Sequence, residues 1–401
     1  MLSPTIIKPI DKFIPIETLL ENYKNQFSHD TTIVKKKEPT KRQANTIADK
    51  YMHLWFKKNI NSCLFLGIAE TIAQEFLRFM IPEQPKTRLT QENQTYYVLS
   101  KNAPEFNELF NLSKPALTFK AQNNELPGLG ELAVLCLIIG EIDLKLANIG
   151  LSNGRVIKID GGCCFSVPFF RYAFLTTQDI ENLPNCPTPL TSSIRDFNWL
   201  DTRYDKAERP AYFSAELQQN TNFRHEVNLA LLKICTLTPQ ILKKFTTAYI
   251  PEENATYSFF YQYLTITTAK LQKLARQIPS FRSFIISHET NKLFEQHLNN
   301  LANFCSAKKL SLISYSDISQ TQKKFTELRT ELSGQTAVAA ITFPQRAISP
   351  VLTPAIYSPS VSSPCFFSQS TPPELTKTQR RGMMVLTELS DSFQEKSPPA
   401  S

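Results

Sequence analysis

The sequence has 401 residues, of which 42% are hydrophobic and 20% charged, and its formal net charge is +8. This composition is ordinary for a globular protein, and the length is enough for a two-lobed domain of about 300 residues with extensions. The eight cysteines show no C-x-x-C spacing, which argues against a zinc site or a disulfide framework and favours buried thiols. The longest apolar run, residues 132–139, is too short to span a membrane, and the N-terminus has no continuous apolar segment of the secretory type.

The first third of the chain predicts a basic extension followed by a small sheet. Residues 1–45 are polar and lysine-rich, and we expect a solvated extension there. Residues 51–58 are aromatic and alternate as a strand, whereas residues 67–80 carry apolar side chains at helical spacing and are followed by two prolines. Two further strands are predicted at 86–90 and 95–100. Strand, helix, strand, strand is the order of a sheet lobe with one packed helix.

The rest of the chain is predicted to be mainly helical. Residues 126–140 form a helix candidate and 156–159 a short strand, and seven of the ten glycines lie between positions 128 and 162. Residues 215–335 read as several helices, after which proline, serine and threonine dominate and we predict a disordered tail. The predicted organisation is an extension (1–45), a sheet lobe (46–120), a helical lobe (121–335) and a disordered tail (336–401).

Four polar residues that follow the predicted helix carry the chemistry, three before the predicted strand and one directly after it. Asp143-Leu-Lys-Leu-Ala-Asn148 matches the D-L-K-x-x-N run of a protein-kinase catalytic loop, and Asp160-Gly-Gly stands where the D-F-G motif would be. In this arrangement Asp143 would orient the substrate hydroxyl, and Lys145 would neutralise charge on the transferred group. Asn148 and Asp160 would bind magnesium ions at the nucleotide phosphates. The order and spacing favour a phosphotransferase site that uses ATP and Mg²⁺.

Such a site also needs a lysine paired with a glutamate to hold the nucleotide phosphates. Lys57 and Lys58 both end the first predicted strand. Alternation along this strand places Trp55 and Lys57 on one face, which favours Lys57, and Lys58 is the second candidate. Glu70 lies nearer the start of the following helix than Glu75 and is the preferred partner. No G-x-G-x-x-G loop precedes the lysines, which argues against an ordinary protein kinase.

At these residues the sequence resembles the atypical kinases of intracellular bacterial pathogens. It is most similar to the N-terminal kinase domain of LepB-type effectors, which a type IV (Dot/Icm) system secretes. The matching segments lie within about residues 50–170. They are residues 67–70, 81–88, 96–101, 140–150 and 158–162.

The resemblance implies a bilobal α+β fold like that of protein kinases and phosphoinositide kinases. It implies Asp143 as the catalytic aspartate, Asn148 and Asp160 as metal ligands, and Lys57 or Lys58 with Glu70 as the nucleotide pair. It further implies a phosphoinositide as acceptor and an acidic translocation signal in the tail. The protein would then occupy the bacterial cytoplasm before secretion and the host cytoplasm or membrane surface afterwards.

Other readings stay open at this stage. The same residues suit a protein kinase, or an AMP transferase if the nucleotide is inverted. The missing glycine loop also fits a catalytically inactive kinase-fold scaffold that binds a host protein. The positive net charge is compatible with a polyphosphate ligand or a peripheral contact with an anionic membrane, and we expect no nucleic-acid partner and no transmembrane segment.

Overall fold

The computed structural model describes most of the chain between residues 7 and 341. Of the predicted disordered tail (336–401), residues 336–341 belong to the helix that ends at Ile341, and the rest lies outside the described residues. The described ranges are 7–9, 13–15, 31–36, 54–60, 64–185, 187, 199–200, 216–307 and 314–341.

A six-stranded sheet forms the first lobe. The strands lie in the order β1-β5-β6-β4-β3-β2, and all neighbours are antiparallel except the parallel pair β1 and β5. Its strands are β1 (Ile7–Pro9), β2 (Phe13–Pro15), β3 (Thr31–Lys36), β4 (Leu54–Asn59), β5 (Thr87–Glu92) and β6 (Thr95–Lys101).

The boundary predicted at residue 46 is therefore wrong, because three strands of this sheet come from the first 45 residues. The lysine content of this segment concealed runs such as Thr31-Thr-Ile-Val34, whose β-branched residues favour strands. The described residues of this segment therefore belong to the sheet lobe and not to a solvated extension.

One helix, α1 (Leu64–Met80), packs against the sheet. Ile68, Ile72 and Phe76 are fully buried along it and join one core with Leu89 and Val98 of the sheet. Truncating any of the three helical residues to alanine would cost about 2–5 kcal/mol of unfolding free energy. The predicted amphipathic helix and the two strands that follow it are confirmed.

The second lobe is mainly helical and contains a small antiparallel sheet. That sheet consists of β7 (Asn107–Glu108), β8 (Ile149–Ser152) and β9 (Arg155–Lys158). The helices are α2 (Lys114–Gln122), α3 (Leu129–Ile138), α4 (Thr177–Glu181), α5 (Thr221–Thr236), α6 (Pro239–Thr247), α7 (Tyr257–Ala275), α8 (Pro279–Ile286), α9 (Glu289–Ala307) and α10 (Tyr315–Ile341).

Helix α1 is held by both lobes. The Phe76 ring lies 5.5 Å from that of Phe245, and the Phe79 ring lies 5.2 Å from that of Phe304, both edge-on. At the C-terminal end of α1, the ammonium of Lys233 donates to the backbone oxygen of Met80 at 3.0 Å. These contacts fix the orientation of α1 relative to the helical lobe.

The predicted α+β fold class, with a small sheet lobe and a large helical lobe, is confirmed. None of the helices in the described part of the chain combines the length and the apolar composition needed to cross a bilayer.

Candidate active site

The loop that carries Asp143 begins at a glycine turn. Helix α3 ends at Ile138, and Gly140 has a φ of +58°, a conformation that favours glycine. A Cβ added at Gly140 would also overlap the hydroxyl of Tyr263, which donates to the backbone oxygen of Val167 at 2.9 Å. The glycine therefore allows the chain to leave the buried helix and turn into the catalytic loop.

Asp143, Lys145 and Asn148 meet at one point of this loop. The Asp143 Oδ2 atom lies 2.9 Å from Lys145 Nζ and 3.2 Å from Asn148 Nδ2. Asn148 Nδ2 also donates to the backbone oxygen of Asp143 at 2.9 Å. Burial raises the pKa of Asp143 above its usual range, although Lys145 opposes this shift. A raised carboxyl pKa suits a group that accepts or orients a proton.

Asp160 lies beside this loop because β8 and β9 form a hairpin. Ile149 pairs with Lys158, and the N–H of Ile159 donates to the backbone oxygen of Asn148 at 2.8 Å. Asp160 has a φ of +60°, and its Oδ1 accepts a bond from the N–H of Gly162 at 2.9 Å. The two halves of the predicted motif are therefore adjacent in space.

Lys58 connects the sheet lobe to Asp160. Its Nζ lies 3.1 Å from Glu70 Oε2 and 2.6 Å from Asp160 Oδ1. Burial alone would lower the pKa of Lys58, but the two carboxylates outweigh it and raise that pKa. Burial and the nearby Asp160 carboxylate raise the pKa of Glu70, whereas Lys58 and Lys158 outweigh burial and lower the pKa of Asp160. The Lys58 ammonium thus forms ion pairs with two carboxylates whose pKa values are shifted in opposite directions.

The preference for Lys57 is wrong for this pairing. Lys57 stands opposite Leu99 in the sheet, on the face where Trp55 and Leu99 pack together. Its ammonium lies 2.6 Å from Glu92 and 3.9 Å from the centre of the Tyr97 ring. Trp55 and Lys57 do share one face of the strand, as alternation predicted. The helix, however, packs on the opposite face of the sheet, which is the face of Lys58.

Glu70 rather than Glu75 faces the site, as the sequence indicated. Glu75 is fully buried and is bound by Arg78 at 2.8 Å and by Arg88 at 3.0 Å. It also accepts a bond from the hydroxyl of Tyr249 in the helical lobe. Glu75 therefore joins the two lobes and fixes the helix that presents Glu70.

Sequence analysis missed a buried ion pair beneath the site. Lys158 Nζ lies 2.7 Å from Glu141 Oε2, and both side chains are almost completely buried. Burial would lower the pKa of Lys158, but Glu141 and other neighbouring groups outweigh it and raise that pKa. A signal was present, because a lysine inside the apolar strand Val156-Ile-Lys-Ile159 requires a buried partner.

Sequence analysis also missed Gln84, which supports the strand that leads to Asp160. Its Oε1 accepts a bond from the Lys158 N–H at 2.9 Å, and its Nε2 donates to the Val156 oxygen at 3.3 Å. Gln84 comes from the connection between α1 and β5. It therefore ties the sheet lobe to the strand of the candidate site.

A cleft is lined by Lys58, Glu70 and Asp160 together with mainly apolar residues. It encloses about 570 Å³ of empty space, counting the part open to solvent. The remaining lining residues are Phe56, Val98, Ser100, Lys101, Asn102, Ala103, Phe106 and Ile159.

The donor set fits Mg²⁺ shared with a phosphate ligand. Among the described residues, no group of three or more His, Cys, Asp or Glu side chains could hold a metal ion by itself. Asp160 and Asn148 offer a carboxylate and an amide oxygen, which are hard ligands of the kind Mg²⁺ prefers. Because Asn148 Nδ2 faces Asp143, its oxygen is the opposite end of the amide. Mg²⁺ typically completes such a partial set with water and substrate phosphates.

No protein-family model and no curated protein matches the chain. One solved structure that matches is the Helicobacter pylori proinflammatory kinase CtkA, at 14% identity and a TM-score of 0.38. The match covers 67% of this chain and 95% of that one. Similarity of this extent carries no conclusion about function, and it does not support the resemblance to LepB-type effectors, which stays a prediction.

Proposed function

We propose that the protein is an ATP- and Mg²⁺-dependent phosphotransferase whose acceptor is a phosphoinositide. The observation that carries the proposal is the position of Lys58. It bridges Glu70 and Asp160 in the cleft, next to the Asp143 loop. A phosphotransferase requires this convergence of a lysine, a metal-binding aspartate and a hydroxyl-orienting aspartate.

The lining of the cleft is suited to a nucleotide in one orientation. Phe56, Val98 and Phe106 supply apolar contact area in the cleft. Asn102 lines the same cleft, and within the described residues its buried Oδ1 has no hydrogen-bond partner. An acceptor in that position would be satisfied by the exocyclic amine of adenine. The phosphates would then extend towards Lys58.

The residues around the phosphates would divide the chemistry between them. Lys58, oriented by Glu70, would bind the phosphates, and Asn148 and Asp160 would hold Mg²⁺ against them. When bound, Mg²⁺ supplies neutralisation of charge on the phosphate oxygens. Asp143 would orient the acceptor hydroxyl, and Lys145 would stabilise charge on the transferred group.

The acceptor that we propose is a lipid, a phosphoinositide. It is supported by the resemblance to LepB-type effectors and by the net charge of +8, which favours approach to an anionic membrane. On the same basis we propose a bacterial effector that a type IV system delivers to the host cytoplasm or membrane surface.

Nucleotide binding is tested by thermal unfolding with ATP, with and without Mg²⁺. We expect ATP with Mg²⁺ to raise the melting temperature of the wild type, since a ligand at a hundredfold excess over its Kd stabilises by about 2.7 kcal/mol. Lys57→Met is the matched control and should show the same shift, whereas Lys58→Met should lose most of it. Equal shifts in the two variants, or none in the wild type, would contradict the proposal.

The acceptor is tested by incubating the protein with vesicles of different phosphoinositides and with host-cell lysate, in parallel reactions with γ-labelled and with α-labelled ATP. Labelled lipid supports the proposed acceptor, whereas label only on protein identifies a protein kinase. Nucleotide binding without any transfer would indicate the inactive scaffold. Transfer of label from the α position instead would identify an AMP transferase.

A further inference from the structure

A buried ion pair lies directly beneath the two candidate catalytic segments. Glu141 and Lys158 are about 1% and 0% exposed, and their charged atoms are 2.7 Å apart. Each stands two residues before an aspartate of the site, Glu141 before Asp143 and Lys158 before Asp160. The pair therefore occupies equivalent positions in the two segments that must be aligned for phosphoryl transfer.

The two charged groups also contact the backbone of the residues they precede. Glu141 Oε1 accepts a bond from the N–H of Asp143 at 2.8 Å. Lys158 Nζ donates to the backbone oxygen of Asp160 and lies 3.4 Å from that of Ile159. The chain of contacts thus runs from the Asp143 backbone through Glu141 and Lys158 to the Asp160 backbone.

Neighbouring groups hold the pair in one geometry. The Cys164 thiol donates to Glu141 Oε2 at 3.0 Å, and the Trp199 indole donates to the Glu141 backbone oxygen at 3.0 Å. On the other side, Gln84 accepts a bond from the Lys158 N–H at 2.9 Å. A side chain that is held in one conformation by several partners can fix the position of the groups it contacts.

Stability alone is a poor explanation for this arrangement. A buried ion pair is expensive to desolvate, and apolar residues of similar size commonly stabilise a protein as well or better. Alignment is a stronger explanation, because a displacement of about 1 Å at a catalytic group can reduce a rate by about a hundredfold.

We propose that Glu141 and Lys158 are a positioning pair that sets the separation of Asp143 and Asp160. The inference rests on the proposed phosphotransferase function. It assigns the two residues no contact with substrate, and their effect reaches the reaction through the two aspartates, whose backbone they hold.

The test is the double variant Glu141→Leu/Lys158→Met, which replaces the pair with apolar side chains. The matched control is Lys244→Met/Asp317→Leu, which removes another ion pair with a buried carboxylate, between α6 and α10. For each protein we would measure the melting temperature, kcat and KM for ATP. We would also measure the Mg²⁺ concentration for half-maximal binding of a nonhydrolysable ATP analogue.

We expect the test variant to remain folded, with kcat lower by about a hundredfold and KM for ATP within about threefold of the wild type. Its Mg²⁺ requirement for analogue binding should rise, because Asp160 is displaced. The control should keep the wild-type kcat and Mg²⁺ requirement. A folded test variant with wild-type kcat and Mg²⁺ requirement would overturn the inference.

Glu141→Asp keeps the proposal testable if the double variant does not fold. The shorter side chain retains its charge but cannot reach both the Asp143 N–H and Lys158 as Glu141 does. We expect a lower kcat at a nearly unchanged melting temperature, and an unchanged kcat would overturn the inference. If the wild type neither binds ATP nor transfers label, the proposed function fails and this inference falls with it. If the wild type is active and the variants are unaffected, only this inference fails.

Discussion

Asn148 donates from one nitrogen to two oxygens of Asp143, at 2.9 Å to the backbone oxygen and at 3.2 Å to Oδ2. The five-residue spacing of the motif therefore has a physical basis, because the loop closes on itself through this amide. The same amide presents its oxygen away from Asp143. In the proposed site Asn148 thus has two separable roles, one as a donor to Asp143 and one as a metal ligand.

Substitution of Asn148 separates these roles. Asn148→Asp keeps an oxygen ligand but loses the donor and places a second carboxylate against Asp143, so we expect kcat to fall by about a hundredfold with Mg²⁺-dependent nucleotide binding retained. Asn148→Ala should lower kcat and should also lose the Mg²⁺-dependent nucleotide binding. Asn123→Asp, at an exposed amide that bonds the Phe119 oxygen, is the control. Steady-state kinetics and calorimetry of nucleotide binding check the result, and wild-type kcat in Asn148→Asp would be inconsistent with the assigned donor role.

Replacing Asn102 should change nucleobase preference. Its Oδ1 is buried, lines the cleft and has no partner among the described residues. If this oxygen accepts a bond from adenine, Asn102→Ala should raise KM for ATP by about 3–10-fold, the equivalent of one hydrogen bond. KM for GTP should change less, since guanine has an oxygen where adenine has an amine. An equal effect on both nucleotides would argue against readout by Asn102.

Glu75 should matter for stability rather than for chemistry. Its fully buried carboxylate binds Arg78, Arg88 and the Thr87 N–H. Glu75→Gln removes the charge that those two guanidinium groups face, and we expect a loss of about 3–5 kcal/mol in the free energy of unfolding. Glu327→Gln, at an exposed ion pair, should change it by less than about 1 kcal/mol. Urea unfolding measures the free energy of unfolding of both variants. Equal losses in the two would contradict a structural role for the Glu75 carboxylate.

Glu226 should make stability depend on pH between about 4.5 and about 7. Its carboxylate accepts bonds from the N–H groups of Gly128 and Gly130, at 2.6 and 2.9 Å, and burial raises its pKa from 4.5 to about 7. The native state therefore binds this proton more tightly than the unfolded chain does. Its contribution is fully present below pH 4.5 and is lost as pH rises through about 7.

Glu226→Gln should remove this part of the pH dependence. We would compare the free energy of unfolding of both proteins from pH 4.5 to 8. As pH rises across that window, the free energy of unfolding of the wild type should fall relative to that of the variant. A difference that is constant with pH would mean that the pKa of Glu226 is not raised in the native protein.

The sequence was informative where a local pattern carried the information. Helical spacing predicted α1, and motif spacing brought Asp143, Asn148 and Asp160 together. The choice between Lys57 and Lys58 failed because alternation identifies the two faces of a strand but does not say which face a helix covers. Glu141 was missed because its partner is distant in sequence. The N-terminal strands were missed because lysines on a short strand resemble a solvated segment.

The central claim is tested most directly by ATP labelled at either the γ or the α phosphate. Wild type should transfer only the γ label to an acceptor, and only with Mg²⁺ present. Asp160→Asn should transfer none while melting within a few degrees of the wild type, because the substitution preserves shape and removes a ligand charge. No transfer by the wild type under any acceptor condition, or undiminished transfer by a folded Asp160→Asn, would contradict the account.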